Sequence, residues 1–215
     1  YAGLSQLANG GRLAKASLAT VETILLGLLL AAVLGSCIGV LIGVSAQARR
    51  ALSPLLEFCR AMPPPAIVPL AILFLGYDER MKLTIVAISA MWPVLLNTTA
   101  AVERIHPIMM DVATSFRLSQ LESIRLIIFP AAIPAILLGL KVALPLTIVL
   151  TLLVEILTSI DGVGSLMIAA QRNYQSAQVY GLLAFVGVFG FLLNMGFAFM
   201  EAIIMRRWPP RNLSA

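Results

Sequence analysis

The chain has 215 residues, of which 60% are hydrophobic and only 12% are charged, and its mean hydropathy is +0.98. Soluble domains carry about 25% charged residues, so this composition excludes an ordinary soluble enzyme or binding domain. The formal net charge is +5, but the basic residues are scattered at the ends of apolar runs and form no aromatic-interleaved basic face. We therefore expect no nucleic-acid partner.

Five long apolar runs divide the chain. Most of them are long enough to cross a hydrocarbon core of about 30 Å at about 1.5 Å per residue, the second only just. They predict an all-α, polytopic membrane protein with one transmembrane domain over residues 1–215. The prediction allows a further membrane span before residue 1, because the start has neither an initiator Met nor the apolar stretch of a signal peptide. The predicted spans cover about residues 20–47, 61–77, 82–102, 126–156 and 179–203.

The basic residues predict the orientation of the spans. Nine of them fall on one side of a five-span arrangement and five on the other. The positive-inside rule then places the loop at about 104–125 and the C-terminus in the cytoplasm, and residue 1 outside. The nine are Arg49, Arg50, Arg60, Arg104, Arg117, Arg125, Arg206, Arg207 and Arg211; the five are Arg12, Lys15, Arg80, Lys82 and Arg172.

Glycine and proline mark two spans as unusual. Gly35, Gly39 and Gly43 form a stripe that permits close helix packing, within this chain or in a dimer. Prolines at 63, 64, 65 and 69 break the second span, so its backbone must be buried in protein or line a wet cavity. We expect this segment inside the bundle, with Met62 and Pro65 as candidates for a solute pathway. A kinked entry at the cytoplasmic interface is the alternative.

Polar residues inside the apolar runs are further candidates. Asn97 and Thr98 need partners within the membrane, either other helices or a transported solute. Lys141 and Glu155 are costly in a bilayer and mark pathways or buried pairs. They are 14 residues apart, or ~21 Å along a helix, so each needs another partner. Glu155 alternatively lies at the external interface, before the turn at Gly162 and Gly164.

The stretch MDVATSFRLSQLESIRLIIFPAAIPAI, residues 110–136, resembles the cytoplasmic signature loop of bacterial ABC importer permeases, E-A-A-x3-G-x9-I-x-L-P. Residues 111–113 take the Glu-Ala-Ala positions, Arg117 takes the glycine position, and residues 127–130 take the final four. The runs CRAMPPPAIVPLAILFLG, PAAIPAILLGLKVAL and VEILTSIDGVGSLM are similar to the nitrate, sulfonate, taurine and bicarbonate branch. The similarity covers roughly residues 20 to 208.

The resemblance implies a type I ABC importer transmembrane fold in a bacterial inner membrane. It also implies a short coupling helix that docks into a groove of a cytoplasmic ATPase, a recognised mode of helix binding. A helix that merely lies on the membrane surface is the alternative. The residues implied in coupling are Asp111, Val112, Ala113, Ser115, Phe116, Arg117 and Leu118.

The implied partners are two ATPase subunits that bind ATP and Mg²⁺, a second permease and an extracytoplasmic substrate-binding protein. The second permease is either another copy or a different chain that keeps the motif glycine. This chain has no phosphate loop and no metalloprotease or hydrolase motif, so it is predicted not to be an enzyme and to carry no cofactor. The pathway candidates are Met62, Pro65, Asn97, Thr98 and Lys141. A self-contained secondary transporter or channel that uses Lys141 and Glu155 is the alternative function.

Overall fold

The computed structural model describes residues 11–207, which are almost entirely helical and contain no β-strand. Tyr1 and Arg211, both used in the orientation prediction, lie outside the described residues. The helices are α1 (Arg12–Val44), α2 (Ala46–Ala61), α3 (Pro64–Leu75), α4 (Glu79–Glu103), α5 (Pro107–Ser115), α6 (Gln120–Ser123), α7 (Phe129–Thr158), α8 (Val163–Arg172) and α9 (Ser176–Arg207), with a π-helical turn at Ile124–Ile128 before α7.

The described residues contain four helical segments that are long and apolar enough to cross a membrane: Arg12–Val44, Glu79–Glu103, Gln120–Thr158 and Ser176–Arg206. The pair α2 and α3 also passes this test, but it is bent by 94°. Counting the pair as one broken span gives five spans. The all-helical membrane fold with four to five spans is therefore confirmed.

Helix α4 packs between α1 and α7 and forms the centre of the bundle. The glycine stripe of α1 lies against it: a Cβ on Gly35 would come within 2.9 Å of the Met91 carbonyl oxygen, and one on Gly39 within 2.8 Å of the Leu95 carbonyl oxygen. On the other side of α4, a Cβ on Gly139 of α7 would lie 2.7 Å from the Val94 Cα. The stripe therefore serves packing within the chain, and Thr99 adds a hydrogen bond to the Gly39 carbonyl.

Helices α2 and α3 lie on the surface of this chain. The prediction that the proline-rich segment lies inside the bundle is wrong for the chain itself, because α2 has no buried residue and α3 has one, Val68. The prolines explain the break, since Pro63 has no N–H to continue α2 and Pro64 starts a new helix. An ion pair of 3.2 Å between Arg49 and Glu103 holds the start of α2 to the end of α4.

The π-helical turn lies where the loop enters α7. The Phe129 N–H donates to the Ile124 carbonyl, five residues earlier. The next residue, Pro130, has no N–H to donate, and its ring clashes with the carbonyl four residues earlier in a regular α-helix. The wider turn accommodates the proline and gives α7 an irregular first turn.

Candidate functional site

The residues that match the signature loop form a short helix with well-defined ends. Helix α5 starts at Pro107, whose missing N–H is not needed in the first turn. The His106 ring nitrogen Nδ1 accepts a hydrogen bond from the Ile108 N–H at 3.3 Å and caps this end. His106 is therefore the N-cap of α5.

Arg117 occupies the glycine position of the motif and adopts a left-handed backbone, with φ of 54°. The Leu118 N–H donates to the Ala113 carbonyl at 3.0 Å, and the Arg117 N–H donates to the Thr114 carbonyl at 2.9 Å. These two bonds define a Schellman motif, a helix ending that usually places glycine at the left-handed position. A helix ending that favours glycine therefore stands at the glycine position of the motif, with arginine in its place.

Exposed apolar side chains lie on α5 and shortly after it. Val112 is 45% exposed and Phe116 is 76% exposed, and Leu121 of α6 is 75% exposed. Ala113 faces inward and is buried. Asp111 and Arg117 are also exposed, so charges accompany the apolar residues. Such a surface suits a protein groove better than water.

A capping box fixes the start of α6, directly after this turn. The Ser119 hydroxyl accepts from the Glu122 N–H at 3.3 Å. The Glu122 carboxylate accepts from the Ser119 hydroxyl and, at 2.8 Å, from the Ser119 N–H. These hydrogen bonds lower the pKa of Glu122, because they stabilise its ionised form. Both ends of the turn between α5 and α6 are therefore set by local hydrogen bonds.

The pathway candidates do not form one cluster in the chain. Met62 and Pro65 are exposed at the bend between α2 and α3. Asn97 is half-buried on α4, whereas Thr98 is fully buried against Gly39. Both side chains donate to carbonyls of their own helix, Asn97 to Pro93 and Thr98 to Val94. The expected interhelical hydrogen bond is made instead by the next residue, Thr99.

Lys141 pairs with a residue that the sequence did not single out. Its Nζ lies 2.9 Å from the Glu201 carboxylate of α9, and the lysine side chain is half exposed. The ion pair compensates the lysine charge and connects α9 to α7.

Glu155 also has a partner, as expected, and its side chain lies inside the chain. It is fully buried and lies 3.4 Å from the Nζ of Lys82, which is itself buried. Thr20 hydrogen-bonds the same carboxylate. Lys82 follows a loop and has charged neighbours, so its sequence reads as an exposed helix start. The one signal for burial is the apolar residue on each side of it, Met81 and Leu83.

The described residues contain no group of three or more His, Cys, Asp or Glu that could hold a metal ion. Cys37 and Cys59 are free thiols on different helices.

Comparison with known proteins identifies the class. The model of the family described as "Binding-protein-dependent transport system inner membrane component" matches residues 19–208. The chain belongs to this family. It is similar to the nitrate import permease protein NrtB of Leptolyngbya laminosa, with 30% identity over 87% of this chain and 67% of the relative. It is also similar to the bicarbonate transport system permease protein CmpB of Synechococcus elongatus, with 31% identity over 92% of this chain and 69% of the relative.

The taurine transport system permease protein TauC of Escherichia coli is 27% identical over 83% of this chain and 65% of the relative. The resemblance to ABC importer permeases of the nitrate, sulfonate, taurine and bicarbonate type is therefore confirmed. This family membership favours an ABC permease over a self-contained secondary transporter or channel.

Solved structures support the fold. A chain of the MetNI methionine ABC transporter in an inward-facing conformation gives a TM-score of 0.75, with 15% identity over 91% of this chain and 95% of that chain. A chain of an amino acid ABC transporter with histidines gives 0.72, with 17% identity over 95% and 97% of the two chains. At these identities the likeness establishes the fold alone.

Proposed function

We propose that this chain is the transmembrane subunit of an ATP-driven importer and that residues 107–123, the coupling segment, dock into a cytoplasmic ATPase. The observation that carries the proposal is the exposed apolar surface of Val112 and Phe116 at α5, whose ends are both capped, together with Leu121 of α6. A helix that is already rigid loses little conformational freedom when it binds. The family match supports the same role.

The proposed assembly has two copies of the ATPase, each binding ATP and Mg²⁺. A second permease, the same chain or a different one, completes the solute pathway in the bilayer, and a substrate-binding protein delivers solute from outside. The coupling segment and the C-terminus lie in the cytoplasm, as the distribution of basic residues favours. ATP would drive the transport cycle because its affinity differs between two conformations of the assembly.

A disulfide cross-link tests the coupling role. Cys37 and Cys59 are replaced first, and Ser115→Cys is then paired with single cysteines along the groove of a co-expressed ATPase. Ser115 is exposed at the end of α5, so the new thiol can reach a docked partner. We expect a cross-link whose yield changes when ATP is added.

Ser176→Cys is the matched control, because Ser176 is also exposed but lies at the start of α9, beyond α8. It should give no cross-link to the ATPase. Equal yields from the two positions would contradict the proposal. So would an absent Ser115→Cys cross-link in a protein that is inserted and folded.

We also propose that Met62, Pro65, Asn97 and Lys141 line the solute pathway, and we exclude Thr98 because it is fully buried in the α1–α4 contact. The relatives' names point to a small solute of the nitrate, bicarbonate or taurine kind. Uptake of these three solutes by the assembled transporter, with Asn97→Ala and Met62→Ala compared with the unchanged chain, tests both statements. Thr98→Ser is the control and should leave the solute preference unchanged.

A further inference from the structure

A buried polar cluster joins four helices at the outer end of the bundle, the end opposite the coupling segment. Its members are Thr20 of α1, Lys82 of α4, Glu155 of α7 and the first residues of α8. Thr20, Lys82 and Glu155 are each at most 1% exposed. Buried ionisable groups are costly unless they are paired and hydrogen-bonded, so the arrangement of donors and acceptors is informative.

Three donor groups surround the Glu155 carboxylate: the Thr20 hydroxyl, the Lys82 Nζ and the Gly164 N–H. One oxygen accepts from the Thr20 hydroxyl at 2.9 Å and lies 3.4 Å from the Lys82 Nζ. The other accepts from the Gly164 N–H at 2.9 Å. Lys82 also donates to the Asp161 carbonyl at 3.0 Å. The carboxylate therefore holds the side chains of α1 and α4 and the backbone of α8 at the same time.

The Thr20 hydroxyl both accepts and donates a hydrogen bond in this cluster. Its oxygen accepts from the Val163 N–H at 2.9 Å, so its own hydrogen is free to donate to Glu155. The hydroxyl thus connects the first residue of α8 to the acid on α7. Removing it would leave a buried backbone N–H without this partner, which costs more than losing one exposed hydrogen bond.

The two glycines before and within the start of α8 permit this contact. A Cβ on Gly162 would overlap the Glu155 carboxylate, and one on Gly164 would lie 2.7 Å from the Glu155 Cβ. The G-x-G pattern, which the sequence predicts as a turn, is therefore also the surface that closes over the acid. The nearby glycines and the distant Lys82 and Thr20 therefore all contact the same carboxylate, that of Glu155.

We propose that Glu155 is a positioning residue that fastens the start of α8 to the outer ends of α1, α4 and α7, so that the four helices move as one body during transport. The part of this proposal that concerns transport rests on the proposed function. The part that concerns fastening does not, because it can be measured on the permease without an ATPase.

Thiol labelling measures the fastening. On a chain without Cys37 and Cys59, Ala170→Cys places a thiol at a buried position of α8, and Ala169→Cys places one at the exposed neighbouring position. A water-soluble maleimide is added to membrane fragments that are open on both sides. We expect Ala170→Cys to label slowly in the unchanged cluster, and about tenfold faster when Thr20→Val removes the hydroxyl.

Thr20→Ser is the matched variant, because it keeps the hydroxyl and should keep the slow labelling. Ala170→Cys should also label fast in the Glu155→Gln background. Ala169→Cys should label fast in every background, which controls for access of the reagent to α8. Slow labelling of Ala170→Cys with Thr20→Val would overturn the proposal. Equal labelling with Thr20→Ser and Thr20→Val would overturn it as well, since the hydroxyl would then be irrelevant.

Uptake per ATP hydrolysed measures the role in transport. We expect Thr20→Val to lose uptake relative to ATP hydrolysis, and Thr20→Ser to retain it. A residue that only stabilised the fold would lower both rates together, so an unchanged ratio with Thr20→Val would overturn the transport part. If the coupling cross-link failed, the labelling result would still be readable, so the two proposals fail separately.

Discussion

Arg117 differs from the motif in its side chain, but its backbone adopts a conformation that favours glycine. The Schellman bonds at the end of α5 require a left-handed residue, and an L side chain there costs roughly 1–2 kcal/mol relative to the right-handed region. The lost glycine therefore changes the local cost of the turn and adds a positive charge to the exposed surface. It does not remove the turn.

Arg117→Gly should stabilise the coupling segment. The gain should be about 0.5–1 kcal/mol, because relief of the left-handed strain is partly offset by the greater freedom of glycine in the unfolded chain. Hydrogen exchange of the amides in residues 107–118 should slow correspondingly. Arg117→Ala removes the charge but keeps the Cβ, so it should show no such slowing. Equal slowing in both variants would assign the effect to charge rather than backbone strain.

At the scale of elements, α4 is held between two helices by contacts at backbone distance. Gly39→Ala should destabilise the protein by about 1–3 kcal/mol, since the new Cβ meets a carbonyl oxygen and a Thr98 Cβ that cannot both move away. The fraction folded in increasing SDS measures this change.

Gly187→Ala on α9 is the control, because nothing lies within 4 Å of the added Cβ. It should be neutral or stabilise the helix by up to about 1 kcal/mol. A similar loss of stability at positions 39 and 187 would show that the α1–α4 contact does not decide the result.

Helix α9 depends on few buried contacts, so its ion pair with α7 should matter. Glu201→Gln leaves Lys141 without its partner and should destabilise the protein by about 1–2 kcal/mol. The double variant Lys141→Met with Glu201→Gln removes both charges and should recover most of that loss in the same SDS measurement. A double variant as unstable as the single one would contradict the pairing.

The sequence predicts local features of these elements better than it predicts their neighbours. Proline spacing locates the break near Met62, and the motif spacing locates α5. The partners of Lys141 and Glu155 lie 60 and 73 residues away, and no periodicity within a helix reports on them. The surface position of α2 and α3 was mispredicted because burial depends on which helices cover a broken segment.

At the scale of the whole molecule, composition and span length are sufficient to predict the fold class, because a bilayer permits few backbone arrangements. The orientation stays a prediction that labelling can check. In intact cells, Ser176→Cys should react with a membrane-impermeant maleimide, whereas Ser115→Cys should react only after permeabilisation. Reaction of Ser115→Cys in intact cells would reverse the proposed orientation.

The left-handed residue at position 117 also bears on how related chains are recognised. What the turn requires is a backbone conformation that glycine adopts most easily and that arginine adopts here. Branched residues such as valine and isoleucine are poorly suited to it. A search pattern that insists on glycine would overlook permeases of this kind, whereas one that excludes only β-branched residues and proline at this position would retain them.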